Sequence, residues 1–583
     1  MHIKDKIASL SWLRSEIIGR NMGFETPFGL RPLVYADYTA SGRGITSIER
    51  HITRILQYYA NTHTEDDFTG KTMTGLLHEA ERVIKQAVNA GPKGKLIFTE
   101  SGTTGGIAKL QQILGVYWPP ATRERVNSFL LSCLTRNPDR EDCNLALNNF
   151  IQDNKPIVFV GPYEHHSNEL MWRHTLCEIQ EIPMGKDYGV DLEELERRVS
   201  DPLYAHRLKI GSFSAASNVT GLRTEVYELA RILHRYGALA CFDFAACAPY
   251  IEIDMNRDSE AYFDAIFLSP HKFLGGPGTS GILVFNEDIY PKKLPPTVAA
   301  GGTVDYVSPE KEEFIKDIEA REKPGTPGIL QAIRIALAFR LKEKVGLPLI
   351  DEIERHYFES FMQAFAGDDR ITFYGPLEPD RKIPIIPFNI KHKDKYLHPK
   401  FVTRLLNDLF GIQTRAGCSC AGPYGHYLMN IKQQFSNYYR CLITNIGYIG
   451  IKPGWVRLNL HYALDMTELN YLIEAVKFVV EHGAKFLPSY IFDIKSGEWQ
   501  HRKQACSAPI SLDLDDIFDP SPIQAPVIDA SAQYADALAQ ARTIAAGLSE
   551  DFETMTFEKE LADLMYFYVH SGINYHPVSE RIL

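Results

Sequence analysis

The sequence predicts a soluble, multidomain α/β protein, and three features carry that expectation. Runs of strand length, such as Asp264 to Leu268 and Ser280 to Phe285, alternate with segments whose apolar residues recur at helical spacing. A chain of 583 residues is too long for a single hydrophobic core and points to two or three domains. A composition of 45% hydrophobic and 23% charged residues, with a net charge of -11, is that of a globular protein and leaves no basic footprint for nucleic acid.

The first 32 residues read as an amphipathic helix and a loop, with Ile7, Leu10, Leu13 and Ile17 on one face. Charge is mixed into this N-terminus, so it lacks the uninterrupted core of a signal peptide, and no run reaches the roughly 20 apolar residues of a membrane helix. Nine scattered cysteines form no disulfide framework. A cytoplasmic protein without membrane or nucleic-acid partners is the expectation.

A short strand, Val34 to Gly44 (VYADYTASGRG), comes next, and Asn61, Thr62 and His63 follow the first helix of the main body. Thr74 to Ala90 has helical spacing and leads to the strand LIFTE and the turn Ser101-Gly102-Thr103-Thr104-Gly105-Gly106. A strand turning through glycine and hydroxyl residues into a helix N-terminus cradles phosphate, because free N–H groups and the helix dipole favour an anion. Residues 117–155 read as surface helix, and Cys133 and Cys143 within them are too far apart for a metal pair.

Strands at Ile157 to Gly161 and Lys209 to Ser214 deliver Glu164-His165-His166-Ser167-Asn168 and the turn around Asn218. Asp243 ends an apolar run in small-residue surroundings that solvate a carboxylate poorly, so it needs a cationic partner. Lys272 sits in Ser269-Pro270-His271-Lys272, on a loop at a strand end. Pyridoxal phosphate (PLP) enzymes combine such a lysine with an acid that pairs with the pyridine nitrogen.

Gly328 to Gly346 reads as a long helix, and the runs PIIPFNI and HPKFVTRLLNDLFG as a strand and a helix of a second α/β layer. Ile412 to Pro423 holds Arg415, Cys418 and Cys420 in a glycine-containing loop. Cys-x-Cys without a second pair argues against zinc, and a thiol beside a cation suits a nucleophile. No metal is expected. Residues 504–526 read as a linker, Asp529 to Gly547 as a helix and Phe552 to Ser571 as a second helix.

From about Val34 to about Lys485 these ordered motifs resemble the class V aminotransferase superfamily of fold-type I PLP enzymes, within it the cysteine desulfurase and selenocysteine lyase branch. The resemblance implies a large domain (33–346) with a mostly parallel seven-stranded sheet and a smaller C-terminal α/β domain (347–487), flanked by the segment 1–32 and a tail (488–583). It implies PLP on Lys272, with Asp243, Thr103, Thr104, His165, Asn218, Ser269 and His271 as cofactor contacts. Thr326, in Glu-Lys-Pro-Gly-Thr-Pro, would reach the phosphate of a neighbouring subunit, which implies a homodimer.

His165 would lie on the pyridine ring and assist proton transfer, and Arg457, with Arg415 and Asn61, would bind an amino-acid substrate. Aligned on Arg-x-Gly-x-x-Cys, the nucleophile is Cys420 and Cys418 an additional thiol; molybdenum cofactor sulfurases carry Arg-x-Gly-Cys-x-Cys here. The implied reaction removes sulfur or selenium from cysteine or selenocysteine through a Cys persulfide, leaving alanine and calling for a sulfur-acceptor protein.

Two departures from the pattern keep alternatives open. Ala246 stands where desulfurases have Gln or His, and residues 421–456 form an insertion after the cysteine loop. An aminotransferase, lyase or epimerase using the same lysine, or a non-catalytic scaffold of this fold, remains compatible with the sequence.

Overall fold

The computed structural model describes residues 2–62, 64–135, 153–503, 514–518 and 527–571. The chain divides into two compact units. The large unit comprises Thr39–Asp351 and Arg381–Ile383, and the terminal unit comprises Met1–Tyr38, Glu352–Asp380 and Pro384–Leu583. The short strand at Val34 is thus grouped with the C-terminal residues and not with the body that follows it in sequence.

The large unit is built on seven strands: β1 (Gly94–Thr99), β2 (Ile157–Val160), β3 (Glu178–Glu181), β4 (Lys209–Ser214), β5 (Leu239–Asp243), β6 (Ala265–Leu268) and β7 (Gly281–Asn286). Their order is β1-β7-β6-β5-β4-β2-β3, and only β7 runs antiparallel to its neighbours. This is the mostly parallel seven-stranded sheet expected from the sequence.

Every residue of β2, β4 and β6 is buried, as a parallel sheet covered on both faces requires. Ile107 and Leu110 of the helix α2 (Gly102–Ile113) pack with Val158, Phe267 and Leu283 in the main core. The helix α1 (Phe68–Ala87) begins six residues before the periodicity suggests, because Asp67 caps it by accepting the Gly70 N–H at 2.8 Å. It packs against the long helix Ile329–Val345 through Ala80, Val83 and Ala336.

Of the segment 117–155, the described residues contain a helix, Pro120–Thr135. The side chain of Cys133 and all of Cys143 lie outside the described residues, as does His63.

In the terminal unit, Ile7, Leu10, Leu13 and Ile17 are all buried as their spacing predicts. The single helix expected there is two, Ile3–Ala8 and Ser11–Glu16, with Ile17 beyond the second. Arg14 ties them to the unit through the carbonyls of Ala463 and Leu464 at 3.1 and 2.8 Å.

The unit's sheet is antiparallel: β8 (Ile371–Phe373), β9 (Ile385–His392), β10 (Lys395–Tyr396), β11 (Arg415–Gly417) and β12 (Trp455–Asn459), in the order β8-β9-β12-β11 with β10 beside β9. The helices α3 (Pro399–Phe410) and α4 (Met466–His482) pack together, and α5 (Ala530–Ala546) lies on both, Tyr534 stacking on Tyr471 at 4.2 Å. Among the described residues no helix is long and apolar enough to cross a membrane.

The expected second tail helix, Phe552 to Ser571, is not formed. Only Lys559–Ala562 is helical there. The remaining backbone finds sheet-like partners, Met555 N–H to Val569 O and Ser571 N–H to Glu553 O, each at 2.9 Å, while Tyr396 N–H donates to Tyr566 O. Packing of the aromatic run decides the outcome over helical spacing, for Phe567 is buried edge-on against His398 at 4.4 Å between centroids. Of the linker 504–526, only Leu514–Phe518 lies among the described residues, as a short helix.

If the tail is part of this core, Phe567→Ala should lower thermal stability by about 3 kcal/mol, while Phe518→Ala, at 79% exposure, should leave it unchanged. Equal melting temperatures for both variants and wild type would show the tail to be a dispensable appendage.

Candidate active site

In the large unit the candidate residues gather where β1, β4, β5 and β6 deliver their C-terminal loops, the usual ligand edge of a parallel sheet. Asp243 ends β5, and the turn Pro270–Lys272 follows β6 directly. The Asp243 carboxylate is 3% exposed, accepts the Ala245 N–H at 2.8 Å and is met by the Thr103 hydroxyl. Burial pushes its pKa up to about 6, despite those hydrogen bonds and the charge of Lys272.

The N-terminus of α2 forms the second part of this cluster. Its first residue, Gly102, has φ +52°, and a Cβ there would come within 2.7 Å of Ser269 Oγ. Thr103 N–H donates to Ser269 Oγ at 3.0 Å, and the exposed Thr104 hydroxyl is 2.7 Å from that of Ser167. Thr103 therefore supports Asp243 and the turn, and Thr104 and Ser167 present a hydrogen-bonded pair of hydroxyls.

His165 caps the following helix, His166–Arg173, its Nδ1 accepting the Ser167 N–H at 3.1 Å. In the neutral ring this leaves the proton on Nε2. His271 Nδ1 lies 3.3 Å from Ser41 Oγ, and burial together with Lys272 lowers its pKa to about 4. It is a neutral imidazole at physiological pH.

Beneath the loop, Glu164 is buried and accepts from Gly161 N–H, Ser214 N–H and hydroxyl, and the Asn168 amide, at 2.6 to 3.2 Å. Burial raises its pKa to about 7. Asn218 is buried in the turn after β4, which Ser217 Oγ stabilises by accepting the N–H groups of Val219 and Thr220. Asn61 and Thr326 are brought together on the exposed surface of the unit, Asn61 Nδ2 donating to Thr326 Oγ1 at 3.2 Å.

The terminal unit holds the other candidates. Arg415 and Arg457 are direct cross-strand partners on β11 and β12. Both donate to Asp37, Arg457 Nη2 to Oδ1 and Arg415 Nε to Oδ2, each at 2.9 Å. Arg457 is 4% exposed, and burial lowers its pKa although Asp37 and Cys420 both favour its charge. The thiol of Cys420 is exposed and that of Cys418 partly so, in a turn where Ser419 and Cys420 have φ of +53° and +56°. For residues other than glycine that backbone is uncommon and mildly strained.

A mostly parallel sheet with a lysine, a buried acid and a hydroxyl-lined helix N-terminus at its C-terminal edge is the arrangement of the fold-type I class of PLP enzyme. The family model Aminotransferase class-V matches residues 135–467, and the chain belongs to that family. Its relatives include a probable cysteine desulfurase of Halalkalibacterium halodurans, 29% identical over 407 residues, covering 68% of this chain and 86% of that protein. A probable cysteine desulfurase of Staphylococcus aureus strain N315 is 26% identical over 404 residues, covering 68% and 85%.

Among solved structures, the fold is similar to the apo cysteine desulfurase of Thermococcus onnurineus NA1, with a TM-score of 0.61 and 21% identity over 82% of this chain and 99% of that one. The cysteine desulfurase CsdA of Escherichia coli gives 0.58 and 17%, over 81% and 98%.

The residues present fit PLP: a buried acid whose raised pKa calls for a cation, a lysine beside it, and a hydroxyl-lined helix end for a phosphate. Ser167, Glu164 and Asp37 are the site residues that motif reasoning did not single out. Ser167 and Glu164 flank the His165-His166 pair and were open to reading as its supports, whereas Asp37 meets partners 378 and 420 residues away.

The acid has a measurable cost. Because the folded pKa of Asp243 is about 6 against an ordinary 3.8, the folded state binds more protons between those values, so stability falls as pH rises through that window. In cofactor-free protein, Asp243→Asn should therefore be more stable than wild type at pH 8, by an amount on the order of 3 kcal/mol and with a higher melting temperature, and the advantage should vanish near pH 4. A variant less stable than wild type at pH 8 would contradict this.

Proposed function

We propose that this protein is a PLP-dependent cysteine desulfurase-like enzyme that takes sulfur from cysteine, or selenium from selenocysteine, onto Cys420 and leaves alanine. The observation that carries the reading is the exposed Cys420, in the turn that leaves β11, the strand that sets Arg415 directly opposite the buried Arg457. A nucleophile beside a carboxylate-binding group is what sulfur abstraction from an amino acid needs. The curated relatives, probable cysteine desulfurases, support the same reading.

Held through Lys272, PLP supplies an electron sink for bond breaking at the substrate's carbon atoms. Asp243 keeps a proton at the ring nitrogen, and Thr104, Ser167, His271 and the α2 N–H groups bind the phosphate. Asn218 would add a hydrogen bond from its turn, and His165 would lie on the ring. Arg457 takes the substrate α-carboxylate, with Arg415 at its side. Freed Lys272 Nζ moves the proton at the substrate Cα, and His165 assists.

The Cys420 thiolate then attacks the substrate sulfur. An S–S bond forms as the C–S bond breaks, the C–S electron pair stays with carbon, and that carbon takes a proton to give alanine. The sulfur remains as a Cys420 persulfide, whose discharge calls for a thiol reductant or a sulfur-acceptor protein. Thr326 and Asn61, exposed on one chain, are placed by this reading at the interface of a homodimer working in the cytoplasm.

A second reading, an aminotransferase, lyase or epimerase in which Cys420 is a bystander, is favoured by Ala246, whose methyl group cannot hydrogen-bond a cofactor oxygen. The two separate in one experiment, the release of sulfide and alanine from L-cysteine with a dithiol present. Equal amounts of both from wild type, a loss of at least about a hundredfold in Cys420→Ser, and no activity in Lys272→Ala support the desulfurase. Arg457→Lys should raise KM for L-cysteine about ten- to a hundredfold through loss of the bidentate fork. Undiminished sulfide from Cys420→Ser would remove Cys420 from the chemistry, and amino-acid turnover without sulfide would leave the second reading standing.

A further inference from the structure

Arg415 and Arg457 occupy directly opposed positions on β11 and β12. Like charges so placed repel. One carboxylate, Asp37, joins them, its two oxygens each 2.9 Å from a different guanidinium.

The backbone holds Asp37 there firmly. Ala36 N–H donates to Gln413 O at 3.0 Å and Ala36 O accepts Asn459 N–H at 2.9 Å, so the segment is pinned to the chain just before β11 and to the last residue of β12. Tyr38, on the other side of Asp37, stacks on His461 at 3.9 Å. The side chains of Asp37 and Arg457 are 11% and 5% exposed, and that of Arg415 is 54% exposed. The arrangement is therefore a buried pair with a second, solvent-facing cation beside it.

With Cys420 as the neutral thiol, two guanidinium charges and one carboxylate leave a net charge of +1. A ligand with a single carboxylate neutralises that charge, and a second carboxylate on the same ligand finds no cation left over. Asp37 also orients the Arg457 fork, because it accepts from Nη2 and its backbone is hydrogen-bonded to strands on both sides.

We propose that Asp37 is the positioning residue that sets the charge of the substrate-carboxylate site, so that the site prefers amino acids with uncharged side chains to acidic ones. This rests on the reading of Arg457 as the α-carboxylate ligand, and not on sulfur chemistry. Arg415 supplies the charge that Asp37 cancels.

The test is a charge count on the PLP-loaded enzyme, using calorimetric binding of L-alanine and L-aspartate to wild type, Asp37→Asn, Arg415→Gln and the double variant. Asp37→Asn should raise the aspartate-to-alanine affinity ratio about tenfold, the size of a weakly screened charge pair. Arg415→Gln should lower the ratio, and the double variant, again at +1, should return it to the wild-type value. A purely structural role would weaken both ligands alike and leave the ratio fixed in every variant, which would overturn the proposal.

Should Asp37→Asn not fold, Arg415→Gln and the double variant still decide the count. Sulfide release from L-cysteine is measured on the same wild-type sample. Binding without sulfide would sink the desulfurase reading and leave the charge count legible, whereas wild type binding neither amino acid would remove Arg457 as carboxylate ligand and the inference with it.

Discussion

A carboxylate that cannot be solvated is the constraint on which the large unit turns. Asp243 ends a strand packed between two others, and burial drives its pKa up to about 6 even with the Ala245 N–H, the Thr103 hydroxyl and Lys272 in its surroundings. A fold keeps such a group only if something repays the desolvation, and a protonated ring nitrogen would do so. The surrounding choices follow from that need. β6 is short and turns at once through Pro270 so that Lys272 is delivered beside the acid, and Gly102 lets α2 start close enough for Thr103 to reach it.

The terminal unit solves the inverse problem. There the excess is of cations, two arginines forced together by strand register, and the remedy is one acid brought from the far end of the sequence. One cluster buries an acid that Lys272 does not fully compensate, and the other retains a positive charge. A zwitterionic amino acid and a cofactor with a basic ring nitrogen are complementary to such sites, which is why the chemistry can be argued from charge balance as well as from motifs.

Much of the large unit was legible because its signals are local. Strand-length apolar runs bounded by glycine, hydroxyl and proline residues place β6 and β7 to within one residue and β1 to within two, and the loops after them carry the short motifs that suggest the cofactor. Where long-range contacts decide, the sequence was silent or misleading. Helical spacing in 552–571 loses to burial of Phe567 against His398, and the N-terminal apolar stripe survives although the helix expected to carry it is broken in two. Asp37 looks like an ordinary strand-end acid, and only its partners more than 370 residues away disclose its place in the site.

The segments with no counterpart in the motif pattern are not independent additions. Tyr439, in the insertion after the cysteine loop, donates to Leu564 O at 2.8 Å, and the tail's Tyr566 returns a hydrogen bond to Lys452 O at 3.2 Å. His398, at the N-terminus of α3, joins them: it is held neutral by burial, donates from Nε2 to Gly450 O at 3.0 Å within the insertion and packs on Phe567 of the tail. An insertion alone would expose polar backbone and apolar side chains, and a tail alone would lack a surface to fold on. Each supplies what the other needs, so the terminal unit carries one composite extension anchored on His398, next in sequence to the loop that bears Cys420.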